Sequence, residues 1–171
     1  MTNVVLRPAT LADLERLRDW DDEPHVLESD PNDDWGWETE LARAVDWREQ
    51  LIAEVDGVAI GFVQIIDPAR EDSHYWGDIA ADLRAIDIWI GEAAYLGRGH
   101  GTRLMQLALQ RCFADAAVSA VVIDPLASNV RAQAFYARLG FVPVGPRRFG
   151  LDDCLVMRLE CEEWLRLQVS A

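Results

Sequence analysis

Two neighbouring stretches decide the predicted fold: Ile86–Gly91, with the sequence IDIWIG, and Gly97–Thr102, with the sequence GRGHGT. The first is short, apolar and rich in β-branched residues, which favours a strand. The second is rich in glycine and leads directly into Leu104, Leu107 and Ala108, whose spacing is that of an apolar helix face. The two stretches therefore predict a strand, a loop and a helix start in succession.

This helix start has the properties of a phosphate-binding site. The first-turn amides of a helix have no partners inside the helix, and the helix dipole favours negative charge there. Gly97, Gly99 and Gly101 allow the backbone to approach a ligand closely. We therefore expect phosphate or pyrophosphate to bind here, with a merely flexible connection as the alternative for such a loop.

Two common phosphate loops are excluded. A Walker loop requires a lysine, and the chain contains none. The dinucleotide fingerprint has the spacing Gly-x-Gly-x-x-Gly, whereas this loop has Gly-x-Gly-x-Gly. Because the chain contains no lysine, a mechanism that forms a Schiff base on a lysine side chain is also excluded.

Composition limits the class of protein. The chain has 171 residues, of which 50% are hydrophobic and 7 are tryptophan, and this predicts one globular domain over residues 1–171. Its net charge of −14 argues against a nucleic-acid partner and permits a cationic one, although acidity also serves solubility.

The three cysteines, Cys112, Cys154 and Cys161, form neither a disulfide framework nor a metal-ligand spacing. No signal peptide and no run of membrane-spanning length is present. These features predict a cytoplasmic protein with no metal and no membrane partner.

Local patterns predict the remaining elements. The strands are predicted at Val4–Arg7, Gln50–Val55, Val58–Ile66, Ala85–Ile90, Ala120–Ile123, Phe141–Phe149 and Cys154–Leu159. The helices are predicted from Thr10 to Trp20, over Trp37–Arg48, from the glycine loop to Phe113, and from Ser128 or Asn129 to Leu139. Residues 19–36 and 68–84 are predicted to be acidic loops.

The stretch Asp124–Phe141, with the sequence DPLASNVRAQAFYARLGF, carries a family resemblance. Together with the glycine loop, its Asn-x-x-Ala-x-x-Phe-Tyr-x-x-Leu-Gly-Phe pattern resembles the GNAT acyl-CoA N-acyltransferases. The resemblance implies an α/β fold with a mixed, mostly antiparallel central sheet flanked by helices. It also implies splayed strands that form an acyl-CoA cleft, with acetyl-CoA as the cosubstrate.

Further stretches resemble one branch of this family, the aminoglycoside 6′-N-acetyltransferases. They are Arg84–Asp87, Leu96–Thr102, Asp124-Pro125, Trp35–Trp37 and Tyr75-Trp76. The resemblance implies acetyl transfer to the 6′-amine of an aminoglycoside, a polycationic small molecule, by direct attack in a ternary complex. Such an enzyme would confer antibiotic resistance and act as a monomer or homodimer.

Acyl transfer from a thioester needs no covalent nucleophile, so the cysteines are interpreted as inert. The resemblance implies that Asp87 and Asp124 orient and deprotonate the amine, and that Tyr136 protonates the leaving thiolate. It implies cofactor contacts from Ile88, Trp89, Ile90, Arg98, Gly99, His100, Gly101, Thr102, Asn129 and Tyr136. The expected acceptor contacts are Trp35, Asp72, His74, Tyr75, Trp76, Asp87 and Asp124.

Other interpretations stay open. Asp87 can be a solvated strand residue, Asp124 a turn initiator and Tyr136 a packing residue. His74 can act as a base near neutral pH, which keeps a siderophore-side-chain or other small-amine N-acyltransferase as an alternative. Outside the enzymes, the alternative is an acyl-CoA-binding sensor.

Overall fold

A computed structural model describes all residues, 1–171, and they group into two compact units. Unit one contains Met1–Ile65 and Asp87–Ala108, and unit two contains Ile66–Ile86 and Leu109–Ala171. The prediction of one domain over the whole chain stays a prediction.

Seven strands form one hydrogen-bonded sheet in the order β1-β2-β3-β4-β5-β7-β6. Their bounds are Val4–Pro8 (β1), Arg48–Val55 (β2), Val58–Ile66 (β3), Leu83–Ile90 (β4), Ala120–Ile123 (β5), Val142–Phe149 (β6) and Asp152–Glu160 (β7). The pairs β1–β2, β5–β7 and β6–β7 are antiparallel, and β4–β5 is parallel. The predicted mixed, mostly antiparallel sheet is confirmed.

Six α-helices accompany the sheet. Their bounds are Leu14–Asp21 (α1), Pro24–Ser29 (α2), Trp37–Glu40 (α3), His100–Phe113 (α4), Val130–Arg138 (α5) and Cys161–Ser170 (α6). Short 3-10 turns lie at Leu11–Asp13 and Ala93–Tyr95. No helix is long and apolar enough to cross a membrane.

The predicted local signals of unit one are present. Asp56 and Gly57, between β2 and β3, have φ angles of 50° and 82°, as a type I′ hairpin turn requires. Thr10 and Asp13 form the predicted capping box before α1. Asp13 is 2% exposed and also pairs with Arg7 at 2.8 Å, which anchors this helix start to β1.

The predicted helix over Trp37–Arg48 is wrong. Only one turn, α3, forms there, and Arg48 begins β2, which pairs with β1. An ion pair of 2.7 Å joins Arg48 to Glu40 at the end of α3, so the chain turns back where the sequence pattern continues a helix. Two helices were also not predicted: α2, inside the expected acidic loop, and α6, after the last strand.

The two faces of β4 in unit one differ as the alternation predicts. Trp89 packs against the buried cluster of Leu17, Trp20, Trp37, Ile52 and Phe62. Ile88 and Ile90 pack against the cluster of Ala53, Val55, Ile60 and Leu104. Since side chains alternate along a strand, Asp87 shares its face with Trp89.

Strand β5 is buried throughout and is the centre of unit two. It pairs with β7 over all four of its residues, but with β4 only over Leu83–Ala85 and Ala120–Val122. Asp87 lies beyond the segment of β4 that pairs with β5, and Asp124 directly follows the last residue of β5.

Candidate active site

The glycine loop of unit one is open where a ligand would approach. Gly97 and Gly99 have φ angles of 69° and 82°, and a Cβ added at either would meet no atom within 4 Å. Arg103 N donates to Gly99 O at 3.3 Å, so the amides of His100, Gly101 and Thr102 precede this helical bond. The helix therefore begins at the end of the glycine loop, as predicted, with first-turn amides ahead of its first helical bond.

Cationic and aromatic groups lie beside this loop. The Arg98 guanidinium lies 5.9 Å from the centre of the Tyr95 ring, and the His100 ring lies 5.6 Å from it. Arg98 is exposed, so its charge faces solvent at the loop. The loop has no acidic side chain from Gly97 to Thr102, which suits a phosphate ligand.

The end of β4 is fixed by side chains from α1 and α2. The ring of Trp20 occupies the space that a Cβ at Gly91 would need, and Trp20 Nε1 donates to Glu92 Oε1 at 2.9 Å. His25 Nε2 lies 2.7 Å from Ile90 O and the residue is half-buried. His25 is thus part of the support for this strand end.

Asp87 is held by a chain of amides across three strands. Gln64 Nε2 donates to Asp87 Oδ2 at 3.0 Å, and Gln64 Oε1 accepts from Gln50 Nε2 at 3.2 Å. Burial raises the pKa of Asp87 to about 6, while the Gln64 bond lowers it and the charge of Asp33 raises it. A carboxylate with this pKa can accept a proton near neutral pH.

A second carboxyl group with a raised pKa lies near Asp87. Burial, a hydrogen bond with Asp33 and the charges of Asp33 and Asp87 raise the pKa of Asp30 to about 8, against a lowering bond from Trp35. Trp35 Nε1 donates that bond at 2.8 Å. Asp30 lies in the segment predicted to be an acidic loop, and its side chain is half-buried there.

Four aromatic rings pack together beside these acids: Trp35, Trp37, Phe62 and Trp89. Trp35 stacks on Trp37 with a centroid distance of 5.1 Å and an angle of 5°. Trp37 Nε1 donates to Asp21 Oδ2 at 2.6 Å, whereas Trp89 Nε1 is buried with no hydrogen-bond partner. Aromatic faces beside carboxylates suit a cation that also presents an apolar ring edge.

The acidic loop of unit two, residues 67–82, is organised by Glu71. Its carboxylate accepts from Ser73 N at 2.8 Å and from Tyr75 N at 3.1 Å. Burial alone would raise the pKa of Glu71, but these hydrogen bonds lower it. Asp72 and His74 are exposed, and His74 has a positive φ of 53°. The loop is therefore an ordered structure.

Tyr75 connects this loop to Asp124. Its hydroxyl donates to Asp124 Oδ2 at 2.6 Å, and its ring stacks on Phe149 at 4.7 Å. Arg147 Nη2 donates to Trp76 O at 2.9 Å. Trp76 was expected to contact the acceptor, but it is only 3% exposed and packs edge-on against Phe149, so its place is in the core.

Helix α5 carries the two family-motif residues of unit two. Asn129 is its N-cap, with Oδ1 accepting from Ala132 N at 3.1 Å, as the sequence predicts. Tyr136 is half-buried near the other end of the helix, with ring centres 5.1 Å from Phe135 and 5.7 Å from Phe141. Gly140 follows the helix with a φ of 103°, which fits the predicted helix stop.

Each unit thus assembles part of the predicted residue set. Unit one brings together Trp35, Asp87 and Trp89, and unit two brings together Tyr75 and Asp124. Asp72 and His74 lie on the same loop as Tyr75 with exposed side chains. Sequence analysis missed Gln64, Asp30, Asp33 and Arg147, and no group of His, Cys, Asp or Glu side chains is arranged to hold a metal ion.

Similarity to known proteins covers almost the whole chain. The family model described as "Acetyltransferase (GNAT) domain" matches residues 9–149. An aminoglycoside N(6′)-acetyltransferase type 1 from Klebsiella pneumoniae is 29% identical in an alignment of 153 residues that covers 81% of this chain and 74% of that protein. A kanamycin resistance protein from Rhizobium radiobacter is 37% identical over 59 residues, covering 34% of this chain and 55% of that protein.

A solved structure has the same fold. It is the aminoglycoside acetyltransferase AAC(6′)-Ib in complex with coenzyme A and kanamycin. It superposes with a TM-score of 0.86 at 26% identity, covering 97% of this chain and 99% of that one.

Proposed function

Because the chain belongs to the acetyltransferase (GNAT) domain family, we propose that it transfers an acetyl group from acetyl-CoA to a primary amine of a polycationic small molecule. The acceptor that we propose is an aminoglycoside antibiotic, acetylated at its 6′-amine. Support comes from relatives named for this activity and from the similar structure that holds coenzyme A and kanamycin.

One observation of this chain carries the choice of acceptor. Asp87, Asp30 and Asp33 interact with one another beside the rings of Trp35 and Trp89. With its pKa raised to about 8, Asp30 is mostly protonated at neutral pH, so the attraction for ammonium groups comes from the ionised carboxylate of Asp87. Aromatic faces accept both cations and the apolar edges of a sugar ring. A neutral or singly charged amine would use little of this arrangement.

For acetyl-CoA we propose the open glycine loop as the pyrophosphate site. The amides of Gly99 to Thr102 would donate to the phosphate oxygens, with Arg98 adding positive charge. Backbone amides of Ile88, Trp89 and Ile90 would donate to the thioester carbonyl, and Asn129 would contact the pantetheine arm. Three of the first-turn amides precede the helical bond at Arg103, which supports this assignment.

The chemistry we propose is direct attack in a ternary complex. The amine nitrogen forms a bond to the thioester carbon, and the carbon–sulfur bond breaks. Asp87, whose pKa is raised to about 6 by burial, accepts the amine proton directly or through water, and Asp124 orients the amine. Tyr136 donates a proton to the leaving thiolate, so no covalent intermediate is formed.

We also propose the biological setting that follows from this activity. An enzyme of this kind confers resistance by modifying the drug where it acts, in the cytoplasm. Two statements stay predictions: that the chain acts as a monomer or homodimer, and that residues 1–171 form a single domain.

The decisive experiment measures thiol release from acetyl-CoA with kanamycin, spermidine and a neutral monoamine. We expect rapid turnover of kanamycin with a KM that rises with salt, because screening weakens attraction between ammonium groups and carboxylates. Mass spectrometry and NMR of the product locate the acetyl group. Efficient turnover of the monoamine without kanamycin turnover would refute the proposed acceptor. Binding of acetyl-CoA without turnover of any amine would identify a sensor.

A further inference from the structure

The carboxylate of Asp124 is held by a tyrosine that the family chemistry does not require. Tyr75 donates its hydroxyl hydrogen to Asp124 Oδ2 across 2.6 Å, within the short range of hydroxyl-to-carboxylate bonds. Asp124 directly follows β5, and Pro125 after it has no backbone N–H with which to extend a ladder. The bond from Tyr75 fixes the direction of this carboxylate, while the backbone beyond it stays joined to β7 through Leu155 N, which donates to Pro125 O at 2.9 Å.

The ring of Tyr75 is itself fixed from the β6 side. It stacks on Phe149 with a centroid distance of 4.7 Å and an angle of 10°. The Arg147 guanidinium lies 4.5 Å from the centre of the same Phe149 ring and donates to Trp76 O at 2.9 Å. Since Glu71 also accepts from Tyr75 N at 3.1 Å, both the backbone and the ring of Tyr75 are held in place.

We propose that Tyr75 is a positioning residue for the acetyl transfer, whose hydroxyl fixes Asp124 Oδ2 so that Oδ1 accepts a hydrogen bond from the acceptor's ammonium group. The inference rests on the proposed function, because it concerns the same carboxylate. A carboxylate offers about four lone-pair sites, so it can accept from the amine while it accepts from Tyr75. Because a phenol is neutral, the negative charge that attracts the amine is kept.

This role separates the two substrates of the reaction. Loss of the hydroxyl should weaken orientation of the amine and leave acetyl-CoA binding unchanged, because the carboxylate that Tyr75 holds is proposed to contact the amine and not acetyl-CoA. A merely structural role for Tyr75 would instead lower stability and affect both substrates together. The ratio of the effects on the amine and on acetyl-CoA is therefore the informative quantity.

The test begins with Tyr75→Phe, which keeps the ring that stacks on Phe149 and removes only the hydroxyl. We expect kcat/KM for kanamycin to fall about 10- to 100-fold, the range for a lost hydrogen bond to a charged group, with the KM for acetyl-CoA unchanged. The matched control is Ser119→Ala. Ser119 also donates a hydroxyl hydrogen bond of 2.6 Å to a carboxylate of unit two, Asp82, and its loss should leave both parameters unchanged.

The second step asks whether Tyr75 acts through Asp124. Tyr75→Phe and Asp124→Ala are combined in a double-mutant cycle. Kanamycin binding to the enzyme–CoA complex is also measured by calorimetry. We expect Tyr75→Phe to cause no further loss once Asp124 is absent. Equal losses in both backgrounds, or wild-type kinetics for Tyr75→Phe, would overturn this inference alone. Absence of kanamycin turnover by the wild-type chain would overturn the proposed function and this inference with it.

Discussion

Gln64 and Asp87 form a hydrogen bond of 3.0 Å that joins two neighbouring strands, β3 and β4. Gln64 is 8% exposed, and Asp13 is the other buried polar or charged residue of the chain. Because the carbonyl oxygen of Gln64 accepts from Gln50, its amide nitrogen is left to donate to Asp87. Burial raises the pKa of Asp87 to about 6. The donor from Gln64 acts in the opposite direction, because it favours the ionised form of Asp87.

Gln64→Leu tests this bond through the pH dependence of activity. For the wild-type chain, we expect kcat/KM for the amine to fall as pH drops below about 6, where Asp87 becomes protonated. Without the donor from Gln64, the pKa of Asp87 rises, so the acidic limb of the profile should move to higher pH. Initial rates at low amine concentration measure this limb.

The matched control for this variant is Gln110→Leu, because Gln110 is exposed on α4. Its profile should coincide with that of the wild-type chain. An acidic limb that stays in place in Gln64→Leu would show that Gln64 serves packing and does not influence the proton affinity of Asp87.

Asp30→Asn should change how stability depends on pH. The pKa of Asp30 is raised to about 8, chiefly by burial. A carboxyl whose pKa is raised on folding loses stability as pH increases from its unfolded pKa through its folded pKa, here from about 4 to about 8. Asparagine stays neutral, so the variant should melt higher than the wild-type chain at pH above 8 and show a smaller difference near pH 5.

We expect a gain in Tm of at least about 2–4 °C on the alkaline side, the shift that ~1 kcal/mol produces in a chain of this size. Calorimetric melts at both pH values measure it. Asp19→Asn removes the same charge from an exposed position on α1 and is the control. If the two variants show the same pH dependence, the burial of Asp30 has no energetic consequence.

Gly99→Val should weaken acetyl-CoA binding by about tenfold or more, because a side chain enters the proposed phosphate path. Positive φ alone also strains valine, and this effect needs its own control. Gly57→Val provides it, since Gly57 has the same φ of 82° and open space around its Cβ, but lies in the β2–β3 turn. Calorimetry should show unchanged acetyl-CoA affinity for Gly57→Val, and the assignment fails if both variants bind equally well.

Tyr136→Phe should keep acetyl-CoA affinity and lower kcat. Loss of a general acid costs about 10²–10⁴-fold, with water as a partial substitute. Phenylalanine preserves the ring contacts with Phe135 and Phe141, so stability should change little. Single-turnover kinetics isolate the chemical step, and an unchanged rate there would assign Tyr136 to packing.

Much of the fold follows from local sequence signals. The bounds of β3 and β5 are those predicted, and the Asp56-Gly57 turn and the Asn129 cap have the conformations that their residues favour. The helix predicted over Trp37–Arg48 fails because apolar spacing is a local signal, whereas β2, which begins at Arg48, pairs over Leu51–Val55 with β1, far away in sequence. Distant pairing overrides local preference where the preference is weak.

Less of the candidate site could be predicted from the sequence. Gln64 carried a usable signal, since it is a polar residue inside the buried run of β3, and such a residue needs a partner. No sequence signal marked Asp30, because a single acid in a segment rich in acids is expected to be exposed to solvent. Its burial arises from Trp35 and Asp33, whose positions only the folded chain defines.

The packing of Trp20 against Gly91 has a consequence for the evolution of this chain. The indole fills the space of any side chain at position 91, and its nitrogen is bonded to Glu92. Alanine at position 91 would therefore require a smaller residue at position 20, which would also remove the hydrogen bond to Glu92. Among related sequences, we expect these three positions to vary together, although 71 residues separate the first two. Such covariation would identify relatives that build the same connection between β4 and the glycine loop.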